Sequence, residues 1–125
     1  MKIEYLADKA RKCRLIRLYG YSQPEACQLR EIVKELVSGD LQSVPLQEER
    51  WAVPIGGCRL TLRRGRRNSG IRQLGPLNFE CVLDADGWNN VEGLLEPFCV
   101  SNTAGFQWLT NRGEISLLIS QTGSW

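Results

Sequence analysis

The segment from residue 15 to residue 39 constrains the fold most, because it predicts a strand that leads directly into a capped helix. Residues 15–19 suit an extended strand, whose successive side chains point to opposite faces of a sheet. Ser22 is followed three residues later by Glu25, which is the spacing of a capping box. Gly39 is the natural stop, since glycine readily adopts the left-handed conformation that ends many helices.

The predicted helix has a single apolar stripe. Its members recur at helical spacing and are Ala26, Leu29, Ile32, Val33, Leu36 and Val37. Most other positions are polar or charged, so we expect the opposite side to face water. A helix of this kind needs an apolar surface to cover, and the preceding strand indicates that this surface is a sheet.

A second helix is predicted after Asp84 or Asp86, either of which is a good N-cap. Its apolar stripe consists of Trp88, Val91, Leu94, Leu95 and Phe98. Pro97 lacks the N–H group that an interior helix position needs, so the helix should end or distort near Glu96. Since each predicted helix has one stripe, we expect both on the same face of the sheet.

Further strands are predicted where short alternating or apolar segments lie between turn residues. These segments are 49–53, 58–63, 70–74, 79–83, 106–110 and 114–120, and residues 3–6 suit an edge strand or an arm. We expect 58–63 and 70–74 to form a hairpin, and the last two segments to form another around Gly113.

This order of elements predicts one α+β domain over residues 1–125. The expected architecture is a mainly antiparallel sheet with two helices on one face. Its core would be a ferredoxin-like βαββαβ unit with added hairpin strands. No internal repeat is evident. No apolar run approaches the length of about 18 residues that a membrane span requires, and the N-terminus lacks a secretory signal, so we expect a cytoplasmic protein.

The cysteines support the same compartment. They number five, at positions 13, 27, 58, 81 and 99, and none forms a Cys-x-x-Cys pair. An odd count at wide spacing is typical of free thiols in a reducing cytoplasm. We expect Cys27 to be an exposed thiol, off the apolar stripe of its helix, whereas Cys58 and Cys81 should be small core residues.

The chain contains no histidine. This excludes nucleophiles that depend on histidine as their base, and it removes the side chain best suited to proton transfer near neutral pH. Carboxylates occur close together, but no spacing places them in a pocket. The segment 84–87 (Asp-Ala-Asp-Gly) lacks the glycine and glutamate positions of a calcium-binding EF-hand loop and is better interpreted as a helix cap. We therefore expect neither a metal nor another cofactor, and we favour a protein that is not an enzyme.

Arginine is concentrated in one short segment. Six arginines and no acidic residue occur between Cys58 and Gln73, and they are Arg59, Arg63, Arg64, Arg66, Arg67 and Arg72. Arginine suits phosphate recognition because its planar guanidinium group donates several hydrogen bonds, so the segment is a candidate site for nucleic acid or another polyanion. The alternative is a solvated hairpin tip whose charges discourage pairing with other strands.

The segment 18–25 resembles the first strand and helix entry of the RNA recognition motif. That resemblance implies base stacking on aromatic side chains of the central strands, for which Tyr19 is the counterpart here. The family's octamer of glycine and aromatic residues is absent, so the resemblance implies shared topology and not membership.

The face of the sheet opposite the helices is expected to carry apolar groups, including Leu15, Tyr19, Phe106, Trp108 and Leu118. A soluble monomer seldom leaves a large patch of this kind exposed to water. Either the chain termini cover the face, or a second copy does, and symmetric pairing is the commonest way to form an oligomer. We therefore predict a module without catalysis that binds either a second copy of itself, as a homodimer, or another protein. The alternative is polyanion binding through residues 59–72.

Overall fold

A computed structural model of the chain describes residues 1–8, 13–101 and 104–125. Nine strands and two α-helices lie in these ranges. In chain order they are β1 (Lys2–Asp8), β2 (Cys13–Tyr19), α1 (Gln23–Ser38), β3 (Ser43–Pro45), β4 (Val53–Pro54), β5 (Arg59–Arg64), β6 (Gly70–Gly75), β7 (Asn78–Leu83), α2 (Ala85–Val100), β8 (Phe106–Thr110) and β9 (Ile115–Ser120). Neither α1 nor α2, the helices of the described ranges, has the length and apolar character that crossing a membrane demands. The predicted loop at 101–105 includes residues 102 and 103, which lie outside the described residues.

The start and end of α1 agree with the sequence-based prediction. The Ser22 side chain accepts a hydrogen bond from the Glu25 backbone N–H, and the Glu25 carboxylate accepts one from the Ser22 N–H at 3.1 Å. Gly39 ends the helix with φ of 88°, in the left-handed region. The Glu25 carboxylate also binds the Met1 ammonium group. Burial alone would raise the pKa of Glu25, but hydrogen bonds from the Met1 ammonium and from Ser22 outweigh it, so the net pKa is lowered.

α2 continues further than predicted. Asp84 caps it by accepting a hydrogen bond from the Gly87 N–H at 2.8 Å, but the helix extends through Pro97 to Val100. The predicted end near Glu96 is therefore wrong. The N–H group that proline lacks would have bonded the carbonyl of Gly93, four residues earlier. Gly93 is exposed, so water can satisfy that carbonyl.

The strands form two mixed sheets. The first sheet has the order β4-β1-β2-β9-β8, and the second has the order β3-β5-β7-β6. β2 runs parallel to β9, and β5 runs parallel to β7, whereas most other neighbours are antiparallel. The α+β class with two helices is confirmed, but the expectation of one mainly antiparallel sheet is wrong, and the ferredoxin-like order is not confirmed.

The predicted strand at 49–53 is largely a turn. Only Val53 and Pro54 form a strand, β4, which extends the first sheet by pairing parallel to β1. Leu46–Glu48 forms a short 3₁₀ helix just before the predicted segment. Trp51 is partly buried against the core, as expected, but the Val53 side chain is exposed. Pro54 lacks a donor for a longer ladder, which explains why β4 stays short.

The two halves of the chain repeat one topology. β1, β2, α1, β3 and β5 form the first half, and β6, β7, α2, β8 and β9 form the second. Exchanging each element for its counterpart converts the order β1-β2-β9-β8 into β6-β7-β5-β3, which is the order of the second sheet. The parallel pair β2–β9 likewise becomes the parallel pair β7–β5. This repeat is not visible in the sequence, because the halves share a pattern of elements and not of residues.

The predicted hairpin between residues 58–63 and 70–74 does not form. β5 and β6 are not neighbours, because β7 lies between them and pairs with both. The arginine-rich segment therefore crosses over the end of β7 and places its two arms on either side of that strand. This arrangement decides what the arginines contact.

The core is shared by both helices and both sheets. The Tyr5 ring of the first sheet contacts the Phe79 ring of the second, with centroids 4.7 Å apart. Leu18 of β2 and Leu62 of β5 meet the stripes of both helices around one small internal gap. Nine of the eleven predicted stripe residues belong to this core, and they are Ala26, Leu29, Ile32, Val33, Leu36, Trp88, Val91, Leu95 and Phe98, whereas Val37 and Leu94 are partly buried.

A disulfide bond joins the helices. Cys27 near the start of α1 bonds to Cys99 near the end of α2, with Cα atoms 4.6 Å apart. The helices are antiparallel, since Arg30 of α1 also bonds Glu92 of α2 at 2.7 Å. The expected free thiol at Cys27 is wrong, and the cysteines no longer support a reducing compartment. Cys58 and Cys81 are free and buried, as predicted, and the side chain of Cys13 lies outside the described part.

Tyr21 has a buried hydroxyl group with no hydrogen-bond partner in the described part of the chain. Burial also raises the pKa of Tyr21 to about 12. Because an unsatisfied buried hydroxyl destabilises the fold, we expect Tyr21→Phe to leave stability unchanged or to increase it by about 1 kcal/mol. Urea unfolding would measure the change.

Tyr5→Phe is the matched control for this prediction. The Tyr5 hydroxyl accepts a hydrogen bond from Arg14 Nε at 2.8 Å, so the same substitution should cost about 1 kcal/mol there. Equal losses at the two positions would show that the Tyr21 hydroxyl has a partner in solution.

Candidate functional site

Two of the six predicted site arginines bind one glutamate on the outer face of the second sheet. Glu80 of β7 lies between Arg63 of β5 and Arg72 of β6, and its side chain is only 4% exposed. The Arg72 Nε atom donates to Glu80 Oε1 at 3.1 Å, and Arg63 Nη2 lies 3.5 Å from Oε2. The two arginines neutralise the buried Glu80, and although their side chains are 50% and 61% exposed, this pairing makes the two guanidinium groups less available to an external anion.

The other four arginines differ in their contacts. Arg64 donates to the carbonyls of Leu36 and Val37, at 3.4 and 3.2 Å, and so satisfies free acceptors at the end of α1. Among the described residues, Arg59, Arg66 and Arg67 have exposed side chains with no ion pair or hydrogen bond. Arg59 begins β5, whereas Arg66 and Arg67 lie beyond its other end. The six arginines are therefore close in sequence but do not form one cluster.

Tyr19, the predicted stacking aromatic, is half-buried. It lies on the outer face of the first sheet, with the Arg17 guanidinium 4.2 Å and the Lys2 ammonium 5.4 Å from its ring centre. The C-terminal segment folds over the same region, because Arg17 donates to the Gly123 carbonyl at 2.9 Å. Cations and backbone therefore occupy the ring surface that a base would need.

An aromatic patch lies at the β8 edge of the same outer face, and we define it as Phe106, Trp108 and Trp125. The rings of Phe106 and Trp108 are 6.4 Å apart, edge to face. Phe106 pairs with Ser120, whose hydroxyl donates to the Ser124 carbonyl at 2.7 Å and so holds the chain end nearby. Phe106 is 47% exposed and Trp125 is 44% exposed. Two of the three aromatic side chains are therefore exposed, whereas Trp108 is half-buried.

The acidic residues that the sequence brings together have separate roles. Glu80 binds two arginines and Asp84 caps α2, so neither is free for acid–base chemistry. In the described ranges, no three side chains of the histidine, cysteine, aspartate and glutamate types come close enough to hold a metal ion. The role of Asp84 as a cap agrees with the sequence interpretation.

The buried thiols should make the free energy of unfolding decrease as the pH rises through the alkaline range. Burial raises the pKa of Cys81 to about 12 and that of Cys58 to about 11, whereas the pKa of a thiol in the unfolded chain is about 8.5. The unfolded chain therefore loses these protons first, so their stabilisation is complete below about pH 8.5 and is lost as the pH rises toward the folded-state values. Urea unfolding at stepped pH should show this decline, and Cys81→Ala should make it shallower. An equal slope in both proteins would contradict the prediction.

The disulfide and the Glu80 ion pairs were missed by sequence reasoning. The disulfide joins residues that are 72 positions apart, and the ion pairs join three strands whose order the sequence did not reveal. The one available signal was that Cys27 lies early in the first predicted helix and Cys99 lies just after the predicted end of the second, near Glu96. Two antiparallel helices bring such positions together. Comparison of the chain with protein-family models, with curated proteins and with solved structures finds no match.

Proposed function

We propose that this protein is a non-catalytic interaction module that associates with a second copy of itself through the aromatic patch. The observation that carries the proposal is the exposure of two large aromatic side chains, Phe106 at the edge of a sheet and Trp125, with the half-buried Trp108 ring packed against Phe106. Aromatic side chains are enriched at the centres of protein interfaces, where tryptophan contributes most often to the binding energy.

The charges beside the patch favour a second copy over a charged partner. Arg17 is bound to Glu4, with the Nε and Oε1 atoms 2.7 Å apart, and Lys2 lies over Tyr19. These paired and stacked cations leave no strong field of one sign, so two identical surfaces can approach without like-charge repulsion. The net charge of the chain is only +2, so the electrostatic repulsion between two copies is small.

The geometry of the edge also suits two-fold pairing. β8 is the last strand of the first sheet, so the backbone groups on its outer side have no strand partner among the described residues. Antiparallel pairing of two β8 strands would join two sheets and place both aromatic patches on one continuous surface. Each copy would contribute the same residues, as a self-complementary interface requires.

Sedimentation or light scattering at micromolar concentration tests the proposal. We expect a mass twice that of the 14.2 kDa chain. Phe106→Asp should shift the protein to the monomer, because a carboxylate would be buried without a partner. Leu74→Asp is the matched control, since Leu74 is also exposed, at 57%, but lies on β6 of the other sheet. A wild-type protein that remains monomeric, or a dimer that Phe106→Asp leaves intact, would overturn the proposal.

Polyanion binding remains the second candidate, supported by the unpaired side chains of Arg66 and Arg67 in the turn between β5 and β6. If the protein binds double-stranded nucleic acid, its affinity should fall linearly with salt on logarithmic scales as counterions are released. The variant Arg66→Ser/Arg67→Ser should reduce that slope by about 2, whereas Arg64→Ser should change it little. Absence of binding at low salt would contradict this second candidate.

A further inference from the structure

A cavity of about 240 Å³ lies where the turn before β6, the start of α2 and the end of β8 meet. Leu83 and Leu109 provide apolar walls. Polar groups come from Asn68, Asp86, Thr110 and Arg112. The cavity and the aromatic patch lie at different ends of β8. The cavity adjoins Thr110, the last residue of the strand, whereas the patch includes Phe106, the first.

Close backbone approaches hold these walls together. The Asp84 N–H donates to Asn68 Oδ1 at 3.0 Å, which leaves the Asn68 NH₂ group available to donate. Gly70 has φ of +77°, and a Cβ atom there would lie 2.7 Å from the Arg112 carbonyl oxygen. Glycine therefore allows the loop after β8 to pack against the start of β6, and this contact brings Arg112 to the cavity.

Opposite charges share the cavity without pairing. Asp86 and Arg112 both line it, yet no ion pair joins them, and neither side chain has an ion-pair partner in the part of the chain that the structure describes. Both residues are exposed at the border of the cavity. A carboxylate and a guanidinium group that border one cavity without pairing are complementary to a ligand that carries both charges. An anion alone would be repelled by Asp86, and a cation alone by Arg112.

Thr110 adds a second polar feature to the cavity. It is only 9% exposed, and its hydroxyl accepts a hydrogen bond from the Arg112 backbone N–H at 3.4 Å. No acceptor for the hydroxyl proton occurs among the described residues. A buried hydroxyl with an unused proton favours a ligand that supplies an acceptor at this point.

We propose that this cavity binds a small zwitterion of the amino-acid type. Its carboxylate would bind the Arg112 guanidinium, which matches a carboxylate in shape, and its ammonium group would bind Asp86. An aliphatic side chain would lie against Leu83 and Leu109. The cavity is smaller than the range of about 300–1,000 Å³ that is typical of drug-sized ligands, so a single amino acid fits better than a peptide or a nucleotide.

NMR titration of the ¹⁵N-labelled protein tests the charge requirement, with three probes of one side chain. L-leucine carries both charges, N-acetyl-L-leucine only the carboxylate, and L-leucine amide only the ammonium group. We expect saturable shifts at the backbone amides of Asn68, Thr110 and Arg112 with L-leucine, and affinity at least about tenfold weaker for each derivative. Equal binding of either derivative, or no shifts with L-leucine at its solubility limit, would overturn the proposal.

Substitutions test the residues themselves. Arg112→Gln and Asp86→Asn should each weaken L-leucine binding about tenfold or more, and Thr110→Val should weaken it several-fold while keeping the side-chain shape. Arg67→Gln is the control, because Arg67 is also an exposed arginine close to the cavity in sequence. This variant should bind L-leucine as the wild type does. Unchanged affinity in both Arg112→Gln and Asp86→Asn would exclude the site. The aromatic patch is not involved, so failure of the dimer proposal would leave this result unaffected.

Discussion

Reduction of the Cys27–Cys99 disulfide should lower the free energy of unfolding by about 4 kcal/mol. The bond closes a loop with a sequence separation of 72 residues, and a cross-link over such a distance strongly restricts the unfolded chain. For a domain of this size, the melting temperature should fall by roughly 10–20 °C. Thermal and urea unfolding with and without a reductant would measure both changes.

The variant Cys27→Ala/Cys99→Ala is the control for this experiment. It should resemble the reduced wild type, and a reductant should not change its stability further. Cys58 and Cys81 are buried and free, so they should not react with a thiol probe in the native protein. Labelling of native, oxidised protein at Cys27, or a melting temperature that a reductant does not alter, would show that the bond does not form.

Leu36→Ala should cost about 2–5 kcal/mol, which is the usual range for deleting a fully buried leucine side chain. Leu36 has no exposed surface and belongs to the core that α1 shares with both sheets. The substitution leaves a cavity that such a packed interior fills only in part, so the loss exceeds that of transferring the side chain to water. Urea unfolding would measure the difference.

Leu74→Ala is the matched control for the core prediction, because it deletes the same atoms from a side chain that is 57% exposed. We expect it to change stability by about 0.5 kcal/mol or less. If Leu36→Ala unfolds like the wild type, the stripe of α1 does not pack in the core. If both variants lose equal stability, the assigned burial of β6 is wrong instead.

The sequence predicted helices and strands well where the residues that determine them lie within one short segment. Ser22, Glu25 and Gly39 define the ends of α1 because capping involves backbone groups only a few residues away. Alternation likewise predicted which side chains of β5, β7 and β9 face inward, since side-chain direction follows from extended geometry alone. Pro97 is the exception, because a single lost donor does not outweigh the packing of Phe98 in the core.

The sequence predicted the β8–β9 hairpin correctly, but tertiary structure decided which of the other elements are neighbours. The alternation of apolar and polar residues predicts the buried face of each strand but not the strand that pairs with it. The sequence therefore did not show that β7 lies between β5 and β6. That order determines whether Arg63 and Arg72 meet Glu80 or remain free, and the antiparallel packing of the helices determines whether Cys27 meets Cys99. The sequence by itself determined the helices, most strands and their inward faces, because these depend on short-range geometry. The two sheets, the disulfide, the contacts of the arginines and the cavity at Arg112 depend on contacts between distant segments, which form only when the whole chain packs.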